Sequence, residues 1–344
     1  MITVALVGNV GNSVLVRGGL EVLLDATADA LQSIGVRTVR ALELGAPRPD
    51  VFHFFGSFYG LEDAFDAAAG APRVVSPLLL LADDALQWWR PAVDRLRSHL
   101  PLSLLNARRR MLRHADAVMP NSQEEADNSI VYGARDCDIL RCGVDLERFL
   151  PTPAPLESLP SEWQARAQQW LAHGPRVISV GRYERRKNQV EVALACKARG
   201  LPVMFIGRRS PMERSYADEL RAATAFPELV WEDAPASVLR WAMARSDVHV
   251  LATRHETIGL VSLEAAASGA RPVTITQPTS REYFSAYGEF APEPTPAALA
   301  EAIDRALRRG RLRPEERTHL EPVSWKAFAE GTLRVYERVL AQRR

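Results

Sequence analysis

The sequence predicts an α/β protein made of two consecutive domains, each with a parallel sheet. Short apolar runs typical of buried strands alternate with amphipathic helical stretches along the 344 residues. Because parallel neighbours need a crossover connection, this alternation favours parallel sheets covered by helices. A second alternating series begins after LPTPAPLESLP (150–160), whose proline content is typical of an interdomain linker. Two domains are also the better expectation for a chain of this length.

The composition is that of an ordinary globular protein, with 47% hydrophobic residues, 25% charged residues and a net charge of +1. This near-neutral balance gives no reason to expect nucleic-acid binding. The three cysteines neither pair evenly nor have the spacing of a zinc site, which favours a reducing compartment. The opening ITVALVG lacks the features of a signal peptide, and no apolar run is long enough to span a bilayer. We therefore expect a cytoplasmic protein.

The first half begins with a strand, a loop rich in Gly and Asn (GNVGNSVLVRGG, 8–19) and a helix that ends at Gly35. Gly18 and Gly19 in this loop would let the backbone approach a phosphate or a sugar closely. The loop has neither the dinucleotide-binding glycine pattern nor a Walker lysine, so a plain turn is an equal alternative. The predicted strands of this half are 2–7, 36–42, 49–56, 72–79, 115–122 and 137–145.

The second half repeats the alternation and ends with an amphipathic helix at 323–342. A helix is expected to open near Gly259 and to stop at Gly269, which suits the left-handed residue after a helix. The other predicted strands and helices are 175–181, 190–200, 201–207, 212–224, 229–233, 236–246, 247–252 and a strand from Arg271.

Two carboxylates, Glu256 and Glu264, stand on either side of this helix opening. Glu256 would lie just outside the helix N-terminus, where free N–H groups and the helix dipole favour an anionic ligand. Glu264 falls about five residues further in, roughly 7–8 Å along the axis. The two side chains could therefore contact opposite ends of one ligand. One solvated and one capping glutamate would explain the same spacing.

A basic loop, RYERRKNQ (182–189), follows the strand at 175–181. Arg182 and Lys187 could hold a diphosphate, the arginine through a bidentate fork and the lysine as a point charge. The alternative is a solvated basic loop. His53 lies in a strand-like run and is either a core histidine or a functional one. The sequence contains no motif for a protein-held metal or a nucleophilic triad.

Residues 95–114 interleave six arginines with leucine and methionine. Basic attraction combined with shallow apolar insertion would suit a membrane surface, so peripheral contact with the inner face of a membrane is one expectation. The other is a solvated basic face.

Together these segments resemble the retaining, GT-B-fold glycosyltransferases of family 4, the group 1 glycosyltransferases. The resemblance runs nearly end to end, although each segment alone is weakly specific. It rests on RGGLEVLLDATADALQSIG, ADAVMPNSQEEAD, CGVDLERFLP, SVGRYERRKNQ, MFIG, ETIGLVSLEAAASGARPV, PTPAALAEAIDRAL and VSWKAFAEGTLRVYERVL.

The resemblance implies two Rossmann-like domains facing each other across a cleft. Residues 1–155 would bind the acceptor, residues 156–324 would bind the nucleotide sugar, and helix 325–344 would cross back to the first domain. It also implies that a sugar moves from a nucleotide-diphosphate donor to an unknown glycan, glycolipid or small-molecule acceptor, with retained configuration and without a metal or other cofactor. A polysaccharide or glycoconjugate pathway would use such an enzyme.

By the same resemblance, Glu256 would contact the hydroxyls of the donor sugar and Glu264 those of the ribose. Arg182 and Lys187 would neutralise the diphosphate leaving group. Backbone contacts to the donor would come from four consecutive residues and two glycines of the first domain: Thr257, Ile258, Gly259, Leu260, Gly18 and Gly19.

Three positions depart from the family pattern. Ser76 and Pro77 stand where many members place a histidine, for which His53 is a candidate substitute. Ile258 replaces the commoner phenylalanine, and a shortened basic loop makes Arg186 a competing phosphate ligand. The alternatives are another GT-B enzyme, such as a sugar-nucleotide epimerase or a phosphorylase, and a non-catalytic protein that binds nucleotide sugars.

Overall fold

A computed structural model describes residues 1–8, 19–40, 48–57, 60–79, 104–254 and 256–343. The chain divides into a first unit, residues 1–142 with 324–344, and a second unit, residues 143–323. The boundary at 142/143 lies earlier than the predicted 155. The cause is local packing, since Val144 N–H donates to the Val323 carbonyl at 3.1 Å, and a Cβ on Gly143 would lie 1.6 Å from that carbonyl oxygen. The proline-rich stretch 150–160 therefore belongs to the second unit.

The first unit contains a five-stranded parallel sheet in the order β2-β1-β3-β4-β5. Most of the described strand residues are buried, as expected for a sheet covered on both faces. The strands are β1 (Thr3–Gly8), β2 (Arg37–Arg40), β3 (Val51–Phe55), β4 (Arg73–Ser76) and β5 (Ala117–Val118). The helices are α1 (Gly19–Ser33), α2 (Glu62–Ala67), α3 (Leu104–His114) and α4 (Gln123–Val131).

The strand predicted at 137–145 is wrong. This segment runs beside β5 through two single hydrogen bonds, from Asp138 N–H to the Val118 carbonyl (2.9 Å) and from Leu140 N–H to the Pro120 carbonyl (3.0 Å). Pro120 has no N–H to donate in return, so a regular ladder does not extend past the short β5.

The second unit contains a six-stranded parallel sheet in the order β11-β10-β9-β6-β7-β8. Its strands are β6 (Val177–Val180), β7 (Val203–Gly207), β8 (Val230–Glu232), β9 (Val248–Leu251), β10 (Arg271–Ile275) and β11 (Glu289–Ala291). The helices are α5 (Ser161–Leu171), α6 (Gln189–Lys197), α7 (Tyr216–Ala223), α8 (Ala236–Arg245), α9 (Leu260–Ala267), α10 (Pro278–Phe284), α11 (Pro296–Arg309) and α12 (Pro314–Arg317). The strands and helices that the sequence predicts between residues 175 and 271 agree with these elements to within a few residues, whereas α5, α10, α12 and β11 were not predicted.

The last helix, α13 (Trp325–Ala341), is part of the first unit and packs against α1. Ser324 caps it by accepting a hydrogen bond from Ala327 N–H. Arg338 reinforces this docking through an ion pair with Asp138. No helix in the described parts of the chain has both the length and the hydrophobicity needed to cross a bilayer.

Candidate functional site

Three loops of the second unit meet at the carboxyl edge of its sheet. They follow the neighbouring strands β6, β9 and β10, and they comprise residues 181–188, 252–259 and 276–277. In open α/β sheets, ligands bind outside the carboxyl ends of the strands. The site residues that the sequence predicts for this unit lie on the first two loops and on the start of α9.

The loop after β6 is held to the loop after β9 by Asn188. This residue is in the left-handed region (φ 50°, ψ 37°) and precedes α6, a conformation that asparagine tolerates better than most residues. Its side-chain amide donates to the Ala252 carbonyl at 2.8 Å. The short helical turn Arg185–Lys187 therefore has a defined position relative to the second loop.

Lys187 and Glu256 form the central contact of the site. Lys187 Nζ lies 2.7 Å from Glu256 Oε2, and the two side chains are only 13% and 26% exposed. Partial burial makes such a pair stronger than one on the open surface. The sequence predicts separate ligand contacts for these two residues, and the structure places them in direct contact with each other.

Glu184 lies against two of the three arginines of the basic loop, Arg182 and Arg186. Its carboxylate is 3.9 Å from Arg182 Nη1 and 2.6 Å from Arg186 Nε. Arg186 is 58% exposed, whereas Arg182 is 32% exposed. The nearest acidic partner of Arg186 is thus Glu184 and not Glu256, which distinguishes its environment from that of Lys187. Sequence reasoning missed Glu184, whose position between two candidate cations was the available signal.

The loop after β9 ends at Gly259, the N-cap residue of α9, with φ 72° and ψ 49°. Few residues other than glycine adopt this conformation readily. Ile258 is buried, while Thr257 and Leu260 are partly exposed. The first N–H groups of any helix lack intrahelical acceptors, so this backbone can bind an anion. The predicted helix start at Gly259 is confirmed, as is the left-handed Gly269 (φ 92°) beyond its end.

Glu264 lies on α9, about one turn inside the helix. Burial raises the pKa of its carboxyl to about 7, an effect that the positive charge of Arg148 opposes. The carboxyl of Glu264 can therefore change its protonation state near neutral pH. A ligand that donates hydroxyl hydrogen bonds would favour the ionised form and lower this pKa.

Gln277 was not predicted, yet it supports the loop that carries Glu256. Its amide nitrogen donates to the Thr253 carbonyl (2.9 Å), and its amide oxygen accepts from Glu256 N–H (3.4 Å). Gln277 also caps α10, together with Ser280. A glutamine directly before a proline that opens a helix was the local signal for this capping role.

Beneath these loops lies a small pocket of about 20 Å³, lined by polar residues such as Thr253 and Glu256 and by apolar ones such as Leu251 and Phe284. The volume suits a single water molecule or hydroxyl group. The pocket is therefore too small to hold a larger ligand such as a sugar ring or a diphosphate.

In the first unit, His53 is completely buried. Its Nδ1 lies 2.7 Å from Tyr336 Oη and its Nε2 lies 2.9 Å from Ser76 Oγ. Burial lowers the pKa of the imidazole to about 3, so the ring is neutral with both nitrogens engaged. Of the two interpretations of His53, the structure supports the core histidine. It leaves no nitrogen of this ring for a ligand.

The remaining predicted positions of the first unit are only partly described. Gly18 lies outside the described residues, and Gly19 is the first residue of α1. Of the basic stretch 95–114, residues 95–103 also lie outside them. In α3, Met111 and Leu112 are buried in the core, Arg108 packs over the Tyr132 ring, and Arg110 pairs with Asp66. The side chains of Met111 and Leu112 are thus already packed, and membrane contact stays a prediction.

Comparison with known proteins locates the site within a family. Residues 162–331 match the family model described as glycosyl transferases group 1. This segment, just under half of the chain, is similar to the group 1 glycosyl transferases. It includes the basic loop, Lys187, Glu256 and Glu264, so every predicted site residue of the second unit lies inside the matched segment.

One curated relative is the D-inositol 3-phosphate glycosyltransferase of Segniliparus rotundus. It is 26% identical, and the match covers 70% of this chain but only 56% of that protein. The chain therefore matches little more than half the length of this relative.

Solved structures show the same fold. A sucrose-phosphate synthase from Thermosynechococcus elongatus has a TM-score of 0.70 at 18% identity, covering 99% of this chain and 100% of that one. A glycosyltransferase from Rickettsia africae has a TM-score of 0.71 at 13% identity, covering 98% of each chain. The Anabaena protein HepE, solved with UDP and glucose, has a TM-score of 0.61 at 16% identity, covering 99% of each chain. At these identities the likeness shows the fold, which is that of two parallel α/β domains of the GT-B type.

Proposed function

We propose that this protein transfers a glycosyl group from a nucleotide-diphosphate sugar to an acceptor, with retention of the anomeric configuration. The observation that carries the proposal is the Lys187–Glu256 ion pair (2.7 Å). It lies beside the N-terminus of α9, inside the segment that matches the glycosyl transferase family.

The charges of Lys187 and Glu256 complement the two parts of the proposed donor, its diphosphate and its sugar. In the free protein Lys187 and Glu256 compensate each other's charge. A nucleotide-diphosphate sugar replaces both partners at once, because its phosphates take the lysine and its sugar hydroxyls donate to the glutamate. A ligand with only one of these features would leave the other side chain uncompensated, which costs free energy in a partly buried site.

The same groups support the chemical step. Breaking the glycosyl–phosphate bond places negative charge on the departing diphosphate. Lys187, Arg182 and the first N–H groups of α9 stabilise this charge from fixed positions, an effect typically worth about 10²–10³ in rate for each donor. Glu256 orients the sugar and Glu264 the ribose. Since side chains and helix N–H groups neutralise the leaving group, we infer that the reaction needs no metal ion.

The anomeric configuration is retained when the acceptor attacks the sugar from the same face that the diphosphate leaves. The acceptor hydroxyl forms the new glycosidic bond, the glycosyl–phosphate bond breaks, and the departing phosphate takes the acceptor proton. Glu256 then serves as a hydrogen-bond acceptor and not as a covalent nucleophile. We assign the donor to the second unit and the acceptor to the first, with peripheral membrane binding through 95–114 as a further hypothesis.

The experiment begins with a thermal-shift screen of nucleotide sugars, starting with UDP-sugars because HepE was solved with UDP and glucose. With the donor that stabilises the protein most, release of nucleoside diphosphate is then measured with and without candidate acceptors. Faster release with acceptor, together with an NMR spectrum showing the donor's anomeric configuration in the product, would support the proposal.

The competing functions give different results in the same experiment. An epimerase would change the sugar nucleotide without an acceptor, and a phosphorylase would require inorganic phosphate as co-substrate. A binding protein would bind the donor in calorimetry without transfer or slow donor hydrolysis. Each of these outcomes would refute the transferase.

A further inference from the structure

We propose that the second unit carries a separate binding site for a phosphate group, held by Arg176 and Arg245. The site is a surface pocket of about 350 Å³, lined by Pro151, Pro153, Arg176, Ala244, Arg245, Asp247 and Arg311. Two of its walls come from the proline-rich stretch 150–160, which the sequence suggests only as a linker.

This pocket lies at the opposite edge of the sheet from the candidate donor site. Arg176 directly precedes β6, and Asp247 directly precedes β9. The two residues are joined there, because Asp247 N–H donates to the Arg176 carbonyl at 2.8 Å and Arg176 N–H donates to the side-chain Oδ2 of Asp247 at 2.8 Å. The donor-site loops follow the other ends of the same strands. Four strand residues at about 3.3 Å each separate the two edges by roughly 13 Å, so a single phosphate group does not reach both.

Positive charge predominates around the pocket. Desolvation lowers the pKa of Arg245 and of Arg311, and the neighbouring charge of Arg176 lowers both further. The carboxylates of Glu157 and Asp247 act in the opposite direction, on Arg245 and Arg311 respectively, while Arg317 adds to the repulsion on Arg311. Four guanidinium groups thus face two carboxylates. A bound anion would relieve this repulsion.

Arg311 is already used by the fold. Its guanidinium donates to the Ala244 carbonyl (2.9 Å), to the Ser268 carbonyl (2.9 Å) and to the Ser246 carbonyl. These carbonyls lie at the C-terminal ends of α8 and α9, where the helix dipoles favour a cation. Arg311 is therefore a structural residue, and its charge is partly compensated.

Arg176 and Arg245, in contrast, keep unused donors. The side chain of Arg176 makes no hydrogen bond to the described residues, and its Nε is buried without an acceptor. Arg245 donates through Nη2 to the Ala154 carbonyl at 2.7 Å and packs 4.2 Å above the Trp241 ring. Its Nη1 is buried and has no acceptor within the described parts of the chain. Packing thus orients the Arg245 guanidinium, and each of the two arginines has an N–H group without an acceptor among the described residues.

These properties specify the chemistry of the ligand. Two planar guanidinium groups with free N–H donors match the oxygens of a phosphate group. The volume lies in the range of pockets for small organic molecules and exceeds the needs of a bare phosphate ion. The expected ligand is therefore a small phosphorylated molecule, whose phosphate contacts Arg176 and Arg245.

Calorimetry with inorganic phosphate at constant ionic strength tests the site in the full-length protein. Three variants each remove one positive charge: Arg176→Gln at the pocket, Lys187→Gln at the donor site and Arg214→Gln at an exposed control position. We expect saturable binding that Arg176→Gln weakens at least tenfold, the scale of a lost charge-assisted hydrogen bond. Lys187→Gln and Arg214→Gln should retain this binding.

Three results would overturn the proposal. Absence of saturable binding would exclude a site for this anion. Loss in Lys187→Gln, with retention in Arg176→Gln, would place the phosphate at the donor site. Equal weakening by Arg176→Gln and Arg214→Gln would show a general charge effect.

Arg176→Lys keeps the charge but not the planar fork, so intermediate binding by this variant would exclude misfolding as the cause of the loss. Because the readout is phosphate binding and not glycosyl transfer, the result is independent of the proposed enzyme activity.

Discussion

Replacing Lys187 by alanine is the most direct test of the proposed donor site. The side chain is 13% exposed and lies 2.7 Å from Glu256, so its loss removes one partly buried ion pair and one proposed contact to the leaving group. For stability we expect a loss of about 1 kcal/mol, near the upper end for ion pairs with some solvent access. For turnover we expect a loss of at least about a hundredfold, or about 2.7 kcal/mol.

These two effects separate in the assay. Release of nucleoside diphosphate from the identified donor measures turnover, calorimetry measures donor affinity, and a denaturant titration measures the free energy of unfolding. A purely structural ion pair would lower stability and leave the turnover of the folded protein nearly normal. Glu256→Ala should also cost at least about a hundredfold in turnover, because it removes the acceptor for the sugar hydroxyls.

The double variant adds a further measurement. Each single substitution leaves one charge without its partner, so the unfolding free energies should be non-additive by about 1 kcal/mol, with the double variant more stable than the sum predicts. Arg185→Ala is the matched control, since Arg185 is 63% exposed and pairs with Glu219 at 2.6 Å instead of Glu256. Turnover within about threefold of wild type in both Lys187→Ala and Glu256→Ala would refute the site assignment.

Three further predictions concern single residues. Gly259→Ala should cost about 1–2 kcal/mol of stability, because φ is 72° and the new Cβ would lie 3.2 Å from Leu251 Cδ2; it should also weaken donor binding. Because the pKa of Glu264 is about 7, donor affinity should fall about tenfold between pH 8 and pH 6 as the carboxylate is protonated, as measured by calorimetry across that range. Tyr336→Phe should lower the free energy of unfolding by about 1–3 kcal/mol in a denaturant titration, since His53 loses a buried hydrogen-bond partner.

Each of these has a result that would contradict it. Gly200 has φ 62° and open space around its Cβ position, so Gly200→Ala is the matched control for backbone strain, and equal donor binding in both alanine variants would remove the role of Gly259. Glu264→Gln should abolish the pH dependence between pH 6 and pH 8; an unchanged profile would assign it to another group. Wild-type stability of Tyr336→Phe would show that the buried pair with His53 contributes little.

Much of the fold and part of the site followed from contiguous residues. Alternating strand and helix patterns predicted two parallel sheets, and a glycine before an apolar run located the start of α9. The side chains of Lys187 and Glu256 predicted which ligand groups they could bind, since a cation suits a diphosphate and a carboxylate suits sugar hydroxyls. Such features are local, because helix periodicity, capping and side-chain charge depend on neighbours in the chain.

Other features depended on packing between distant segments. Lys187 and Glu256 are 69 residues apart in sequence, and only the order of β6 beside β9 places their loops together. His53 meets Tyr336 across 283 residues, so nothing near His53 indicated that its ring is fully engaged.

The sequence by itself determined the sheet types, the start of α9 and which residue types could bind a nucleotide sugar. The tertiary structure decided that Lys187 and Glu256 pair, that Arg186 lies against Glu184, that the domain boundary falls at 142/143, and that Arg176 and Arg245 share a pocket. The physical reason is that charge and periodicity belong to the residues themselves, whereas ion pairing, burial and unused hydrogen-bond donors depend on which distant segments the sheet brings into contact.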